Sequence, residues 1–399
     1  MSVTQSPQEG KKISTPQKIL IIAGTRPEVI KLAPVIRELE KYPHHFKPHV
    51  IVTGQHRELL DQMLSSLRIE PDEDFKVMEE NQALGILSAK VLTHCHHLLA
   101  RIQPALVMVQ GDTASAFCAA LSAYYFQIPI GHVEAGLRTF NKYHPFPEEG
   151  MRILIDSISD FCWTPTHVGA QNLKQEGIAD HKLFITGNTV IDALHLVLHQ
   201  TKNVVSQNLK AIDFSKKIIL VTVHRRENWG DNVQAIFRAL ITLAAQHQDV
   251  EIIYPVHFSP TVRNMAYSML QGVRGIHLVE PLDYISFVHL LARSTFVMTD
   301  SGGIQEEAPA LGKPVLVLRE VTERPEGVTA GTAKVVGLAS DQILNEAEKL
   351  LTDPKEYNSM ANAVNPYGDG NSAKRIVQCL RHHFFHDCAR PEPFTTNQS

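Results

Sequence analysis

Lys18-Ile19-Leu20-Ile21-Ile22-Ala23 runs straight into Gly24-Thr25-Arg26-Pro27-Glu28, and this stretch decides the fold. The apolar run has the length of a strand buried on both faces, as parallel strands are. Proline just behind it suits a helix start, because the N–H it lacks would have had no partner inside the helix. A helix is predicted from there to about Lys41, and its free N–H groups make an anion site with Arg26 beside it. The signature returns at Lys217–Val223 (KIILVTV), which leads into His224-Arg225-Arg226-Glu227-Asn228. Laid over the first start, the second puts Arg225 on Arg26 and Glu227 on Glu28.

Working outward, strands are predicted at Phe46–Thr53, Ala105–Gln110, Pro129–Val133, Phe161–Thr164 and Lys182–Thr186, with helices between them. After the restart they follow at Glu251–Val256, Ile276–Val279, Thr295–Thr299 and Pro314–Leu318. Alternation of this kind predicts parallel sheets covered by helices on both faces. We therefore expect an α/β chain of two Rossmann-like doubly wound domains facing a cleft, 18–187 and 188–370, with a helix at about 371–387 returning to the first. Ligands of such sheets bind beyond the C-terminal strand ends. Arg26, Asp112, Glu134 and His224 all follow a strand.

Composition narrows the function. The 399 residues are 44% hydrophobic and 20% charged, with a net charge of -4 and no long Lys/Arg run, which argues against a nucleic-acid binder. The longest apolar runs, such as Ile218–Val223, are too short to cross a bilayer, so no membrane partner is expected. Residues 1–17 are polar and lack a hydrophobic signal core; we expect a disordered tail and a cytoplasmic protein. Five scattered cysteines without a CxxC fit reduced, packed thiols. The 21 histidines include no HExxH and no Cys/His quartet, so neither metal nor cofactor is expected.

The stretch Gly131-His132-Val133-Glu134-Ala135-Gly136-Leu137-Arg138-Thr139, continued by Pro145-Phe146-Pro147-Glu148-Glu149, sets acids and histidines among glycines and prolines. Carboxylates held in loops by rigid turns bind ligands or move protons. Asp112, Glu134 and Glu148 with His224 form the candidate acid/base set, whereas Glu149 reads as a first-turn helix acid. Ser301-Gly302-Gly303 follows a strand and opens a helix, which suits a diphosphate; Glu307, a turn later, suits a ribose hydroxyl pair. With no GxGxxG after the first strand and no Walker loop, a phosphate-bearing ligand here points toward a nucleotide-sugar.

GTRPEVIK (24–31), QHRELLDQML (55–64), GDTAS, GHVEAGLRT, PFPEE, TGNTVID, HRREN, YPVH, DSGGIQEEAPALGKP and TERPE together resemble the non-hydrolysing UDP-N-acetylglucosamine 2-epimerases. The resemblance spans Lys18 to about Gly370 in order. It implies the architecture of B-type glycosyltransferases and reversible conversion of UDP-GlcNAc to UDP-ManNAc, by anti elimination of UDP to 2-acetamidoglucal and re-addition. It places acid/base groups on Asp112, Glu134, Glu148 and His224, and substrate contacts on Arg26, Lys31, His257, Phe287, Ser301, Gly302, Gly303 and Glu307, with Phe287 at the uracil. It further implies a homodimer and a second UDP-GlcNAc as activator, with Gln55, Arg57 and Arg225 (and the motif of His257) in that region. One departure is Met151, where the family commonly carries Asn before Arg152. A glycosyltransferase of the same fold, a hydrolysing epimerase releasing free ManNAc, and a sensor without catalysis are the rival readings.

Overall fold

The structure, a computed structural model, describes residues 15–54, 57–77, 79, 82–200, 209–210, 212–225 and 228–396. The chain divides into two compact units: unit 1 comprises the residues up to Thr186 together with Ala373–Pro393, and unit 2 comprises Gly187–Ser372 with the residues from Phe394 onward.

Unit 1 is a parallel sheet of β1 (Gln17–Ala23), β2 (Phe46–Val52), β3 (Glu73–Asp74), β4 (Leu106–Gln110), β5 (Ile130–Val133), β6 (Phe161–Thr164) and β7 (Leu183–Ile185). Their order is β3-β2-β1-β4-β5-β6-β7, so the direction of growth reverses between β1 and β4. Register places Ile21 opposite Met108, and Gln110 opposite Val133. Strands β4, β5 and β6 are buried along their whole length, and most of their residues are apolar. Each fully buried Val, Leu or Ile contributes about 1.5–3 kcal/mol relative to exposure. The helix Ser372–Phe385 packs on this sheet; its Phe385 ring lies 5.5 Å from Phe46 and its His383 ring 4.9 Å from Phe161.

Unit 2 repeats the plan with β8 (Lys217–Thr222), β9 (Val250–Pro255), β10 (Ile276–Val279), β11 (Phe296–Thr299), β12 (Val315–Val317) and β13 (Ala333–Val335), in the order β10-β9-β8-β11-β12-β13. Here the reversal falls between β8 and β11, with Thr222 opposite Thr299. Each unit is thus a doubly wound, Rossmann-like α/β domain, and each has a switch point where two adjacent strand ends diverge.

The short strands β3 and β13 escaped the sequence reading, because two or three residues that include Glu, Asp and Lys carry no apolar run. The first strand begins one residue earlier than expected: the Gln17 N–H donates to the His45 carbonyl at 2.7 Å, so Gln17, assigned to a tail, belongs to the sheet. Residues 1–14 of that tail lie outside the described residues. The five cysteines are free, four of them buried. Among the described residues no helix is long and apolar enough to cross a membrane.

Candidate active site

At the unit 1 switch point the chain leaves β1 through Gly24, where a Cβ would lie 2.4 Å from Ser115 Oγ. That tight passage delivers the helix Arg26–Glu40, with Arg26 exposed at its first position. Glu28 folds back as in a capping box: its carboxylate accepts from the N–H groups of Gly24 and Thr25 and from the Thr113 hydroxyl. Burial pushes its pKa up to about 7, against those three hydrogen bonds and with help from the charge of Asp112.

Glu134 follows β5 with φ +69, a left-handed conformation uncommon for a residue with a side chain. Two hydrogen bonds hold it there, from the N–H groups of Glu134 and Ala135 to the Trp163 carbonyl at 3.0 and 3.1 Å. The turned backbone aims a carboxyl only 8% exposed at Lys31, whose Nζ donates to Oε2; Gln110 Nε2 donates to the same oxygen at 2.8 Å. Lys31 is therefore not a solvated helix lysine.

Asp112 sits just past β4, after Gly111, and accepts from Arg152 Nη2. Arg152 Nη1 also stands 3.3 Å from Glu149 Oε2. Glu148 opens the helix Glu148–Ile158, and its Oε2 is a buried carboxylate oxygen with no hydrogen-bond partner among the described residues. Such an oxygen is costly to hold unless a ligand or proton completes it. Glu149 lies in the first turn of the same helix, as the sequence indicates. It is wholly buried, and its Oε1 accepts from Thr139 N–H at 2.8 Å and Phe140 N–H at 3.0 Å, tying the loop before the helix to the helix itself. Met151 belongs to the unit 1 hydrophobic core with Val107, Cys118 and Ile155. It takes up core volume there.

In unit 2, His224 leaves β8 beside Asp300, which leaves β11. His224 Nδ1 stands 2.8 Å from Asp300 Oδ1, while Oδ2 accepts from His224 N–H, Arg225 N–H and Asn228 Nδ2, each at 2.9 Å. Burial would raise the Asp300 carboxyl, but His224 and the two backbone donors outweigh it and hold it below the usual range. Of the two ring nitrogens Nδ1 is the one turned to the carboxylate, which leaves Nε2 on the other side of the ring. The His257 ring lies 5.7 Å from that of His224, and its pKa is lowered by burial and by that neighbour. Its Nδ1 accepts from Ser259 N–H at 3.1 Å.

The Ser301-Gly302-Gly303 segment differs from expectation in one respect. Ser301 N–H is not bare: it donates to Thr299 Oγ1 at 2.9 Å. Gly302 and Gly303 begin a helix of six residues, Gly302–Glu307, and supply the N–H groups that lack an intrahelical acceptor. A Cβ on Gly302 would lie 3.8 Å from the Arg324 guanidinium and 3.9 Å from Arg225 Nη2, so two guanidinium groups stand close to this helix start. Arg324 is held by Glu306, and Arg225 by Glu323 at 3.1 Å. Arg225, read from sequence as an activator-site residue, thus flanks the phosphate candidate. Half-buried Phe287 lies in the first turns of the helix Tyr284–Arg293, and the buried Tyr284 hydroxyl on the same helix is pushed up by burial and by the charge of Glu307.

The structure brings Lys31 to Glu134, Asp112 to Arg152, His224 to His257, and Arg225 to Gly302. Gln55, Arg226, Glu227 and the side chain of Arg57 lie outside the described residues. Sequence reasoning missed Gln110, Arg152, Asp300 and Arg324; a signal existed for Asp300, which directly follows its strand as Glu134 does. Among the described residues no three His, Cys, Asp or Glu side chains are grouped as metal ligands would be.

The chain is similar in sequence and in fold to known proteins. The family described as UDP-N-acetylglucosamine 2-epimerase matches residues 37–381. A Bacillus subtilis protein named UDP-N-acetylglucosamine 2-epimerase is 45% identical over 383 residues, covering 95% of this chain and 98% of its own. The crystal structure of the Neisseria meningitidis UDP-GlcNAc 2-epimerase bound to UDP-GlcNAc superposes with TM-score 0.82 at 44% identity, covering 91% and 99% of the two chains. A crystal structure from Listeria monocytogenes superposes with TM-score 0.90 at 43% identity, covering 96% and 100%. A glycosyltransferase structure at 12% identity and TM-score 0.60 shares the fold alone.

Proposed function

Because the chain belongs to the UDP-N-acetylglucosamine 2-epimerase family, we propose that it is a non-hydrolysing epimerase that interconverts UDP-N-acetylglucosamine and UDP-N-acetylmannosamine. The observation that carries this reading is the set of three carboxylates at strand and helix ends of unit 1, with Glu134 held in strained backbone against Lys31 and Glu148 presenting a partnerless oxygen.

No carbonyl acidifies C2 of this sugar, so removal of its proton runs together with departure of UDP. A carboxylate takes the C2 proton as the C1–O bond breaks anti to it; the electron pair forms the C1–C2 double bond of 2-acetamidoglucal, and UDP leaves with the C–O pair. Positive charge developing at C1 is stabilised by nearby carboxylates from Asp112, Glu134 and Glu148. Negative charge on the phosphate is stabilised by Arg26, His224 and the Gly302 segment with its two guanidinium groups. A second carboxyl then delivers a proton to the other face of C2 while UDP returns to C1. Phe287 stacks on the uracil, Glu307 accepts from the ribose, and Lys31 sets the charge of Glu134. We further propose a cytoplasmic homodimer that supplies UDP-ManNAc for surface polysaccharide, with a second UDP-GlcNAc as activator near the motifs of Gln55, Arg57, Arg225 and His257.

The test is incubation of the protein with UDP-GlcNAc in heavy water, without added metal or NAD, followed by proton NMR. Two UDP-sugars with deuterium at C2 are expected; free ManNAc would mean hydrolysis, and an unchanged C2 proton would sink the epimerase reading. Glu134→Gln should lower turnover by at least a hundredfold, about 3 kcal/mol of transition-state stabilisation, and leave UDP affinity within threefold.

A further inference from the structure

His132 is the buried histidine of the same stretch, and no role in the chemistry above falls to it. Its side chain is completely buried on β5. Nδ1 lies 2.6 Å from Asp156 Oδ1, and Nε2 lies 2.8 Å from the Gly111 carbonyl oxygen. A carboxylate and a carbonyl only accept, so both ring nitrogens donate. Either neutral tautomer would set a bare nitrogen lone pair against an oxygen. Both contacts are hydrogen bonds at once only for a doubly protonated ring, with Asp156, 1% exposed, as its counter-ion.

A dry ion pair of this kind is a poor way to gain stability, since well-packed apolar residues of the same volume usually do as well. What it touches explains it better. The Gly111 carbonyl immediately precedes Asp112. Asp156 Oδ2 accepts from Gly136 N–H at 3.2 Å and pairs with Arg138 Nη1 at 2.8 Å, which closes the turn that carries Glu134. Asp156 itself stands on the helix that begins with Glu148. Burial would raise the Asp156 carboxyl, but the charges and hydrogen bonds of His132 and Arg138 hold it low, so it remains the anion the network needs.

We propose that the buried His132–Asp156 ion pair is the positioning device of the reaction, tying the segments of Asp112, Glu134 and Glu148 into one rigid constellation. The inference rests on the reading of those three acids as the reacting groups. His132 and Asp156 act through them and touch no substrate. Orientation lost at this level costs chemistry and spares nucleotide binding, which belongs to the groups of unit 2.

Three measurements test it. In the wild-type protein, 15N NMR of the His132 ring, assigned by difference with His132→Gln, should show both nitrogens protonated at pH 8; one bare nitrogen would overturn the proposal. Asp156→Asn and His132→Gln should lower kcat by a hundredfold or more, with UDP-GlcNAc KM and UDP Kd within threefold and C2 deuterium exchange falling in step with kcat. A folded Asp156→Asn protein with reduced thermal stability but kcat within threefold of wild type would show a structural role only, and would also overturn it. Should the variants not fold, the wild-type ring measurement still decides. A wild-type protein inert toward UDP-GlcNAc would instead defeat the functional reading, and the NMR result keeps the two failures apart.

Discussion

Asp300→Asn isolates what the His224–Asp300 pair contributes. Asp300 Oδ2 receives three N–H groups, from His224, Arg225 and Asn228, whereas Oδ1 faces only His224 Nδ1. An asparagine therefore keeps its oxygen on the three donors and turns its amide nitrogen toward the ring. Facing a donor, Nδ1 must accept, and the ring proton moves to Nε2. The ring then loses the carboxylate as a charge-assisted partner, worth about 1.5–3 kcal/mol, which corresponds to roughly ten- to 150-fold in kcat. Alanine is the less informative change: it strips the acceptor from those three donors at about 1–3 kcal/mol each and threatens the fold. The assay is epimerisation of UDP-GlcNAc followed by proton NMR, with UDP affinity measured by calorimetry on the same sample. A folded Asp300→Asn protein with kcat within twofold of wild type would refute the dyad.

Glu28 predicts a pH dependence of stability. Its value in the folded protein is raised from 4.5 to about 7, so between those pH values the folded state binds more protons than the unfolded state. This contribution is present at low pH and is lost as pH rises through that window, by about 3 kcal/mol in all. Glu28→Gln, whose amide can face the Thr113 hydroxyl while its oxygen keeps Gly24 and Thr25, should flatten that part of a denaturant-midpoint-against-pH curve; an unaltered curve would contradict the burial argument. Gly136→Ala should cost roughly 2–5 kcal/mol in chemical denaturation, since φ is +86 and the new Cβ would lie 2.3 Å from the Gly169 carbonyl oxygen. Gly111→Ala, at φ +71 with open space around it, should cost only about 1–2 kcal/mol. The reverse ranking would sink the packing argument.

Much of this molecule was legible in one dimension. Buried parallel strands are continuous apolar runs, and helix starts carry proline and capping residues, so Ile19–Ala23 or the start of the helix at Arg26 could be read locally. The doubling of the fold was visible because the second start repeats the first. The rule that ligands meet strand C-termini then pointed to Asp112, Glu134, His224 and the Ser301 segment as candidates from the sequence alone.

Tertiary structure decided the pairings. Lys31 meets Glu134 across 103 residues of sequence, and His224 N–H reaches Asp300 across 76. These distances close only because β1 and β8 each sit at a reversal of strand order, with a register that no local pattern encodes. The same holds for Met151, whose place in the core depends on which face of its helix meets the sheet, and for Arg225, whose approach to Gly302 depends on β8 lying beside β11. Periodicity is a property of neighbouring residues, and the amino-acid sequence by itself determined the elements and their strand-end residues. Charge pairing depends on the order and register in which those elements assemble, and only the folded chain determined which carboxylate meets which lysine, histidine or arginine.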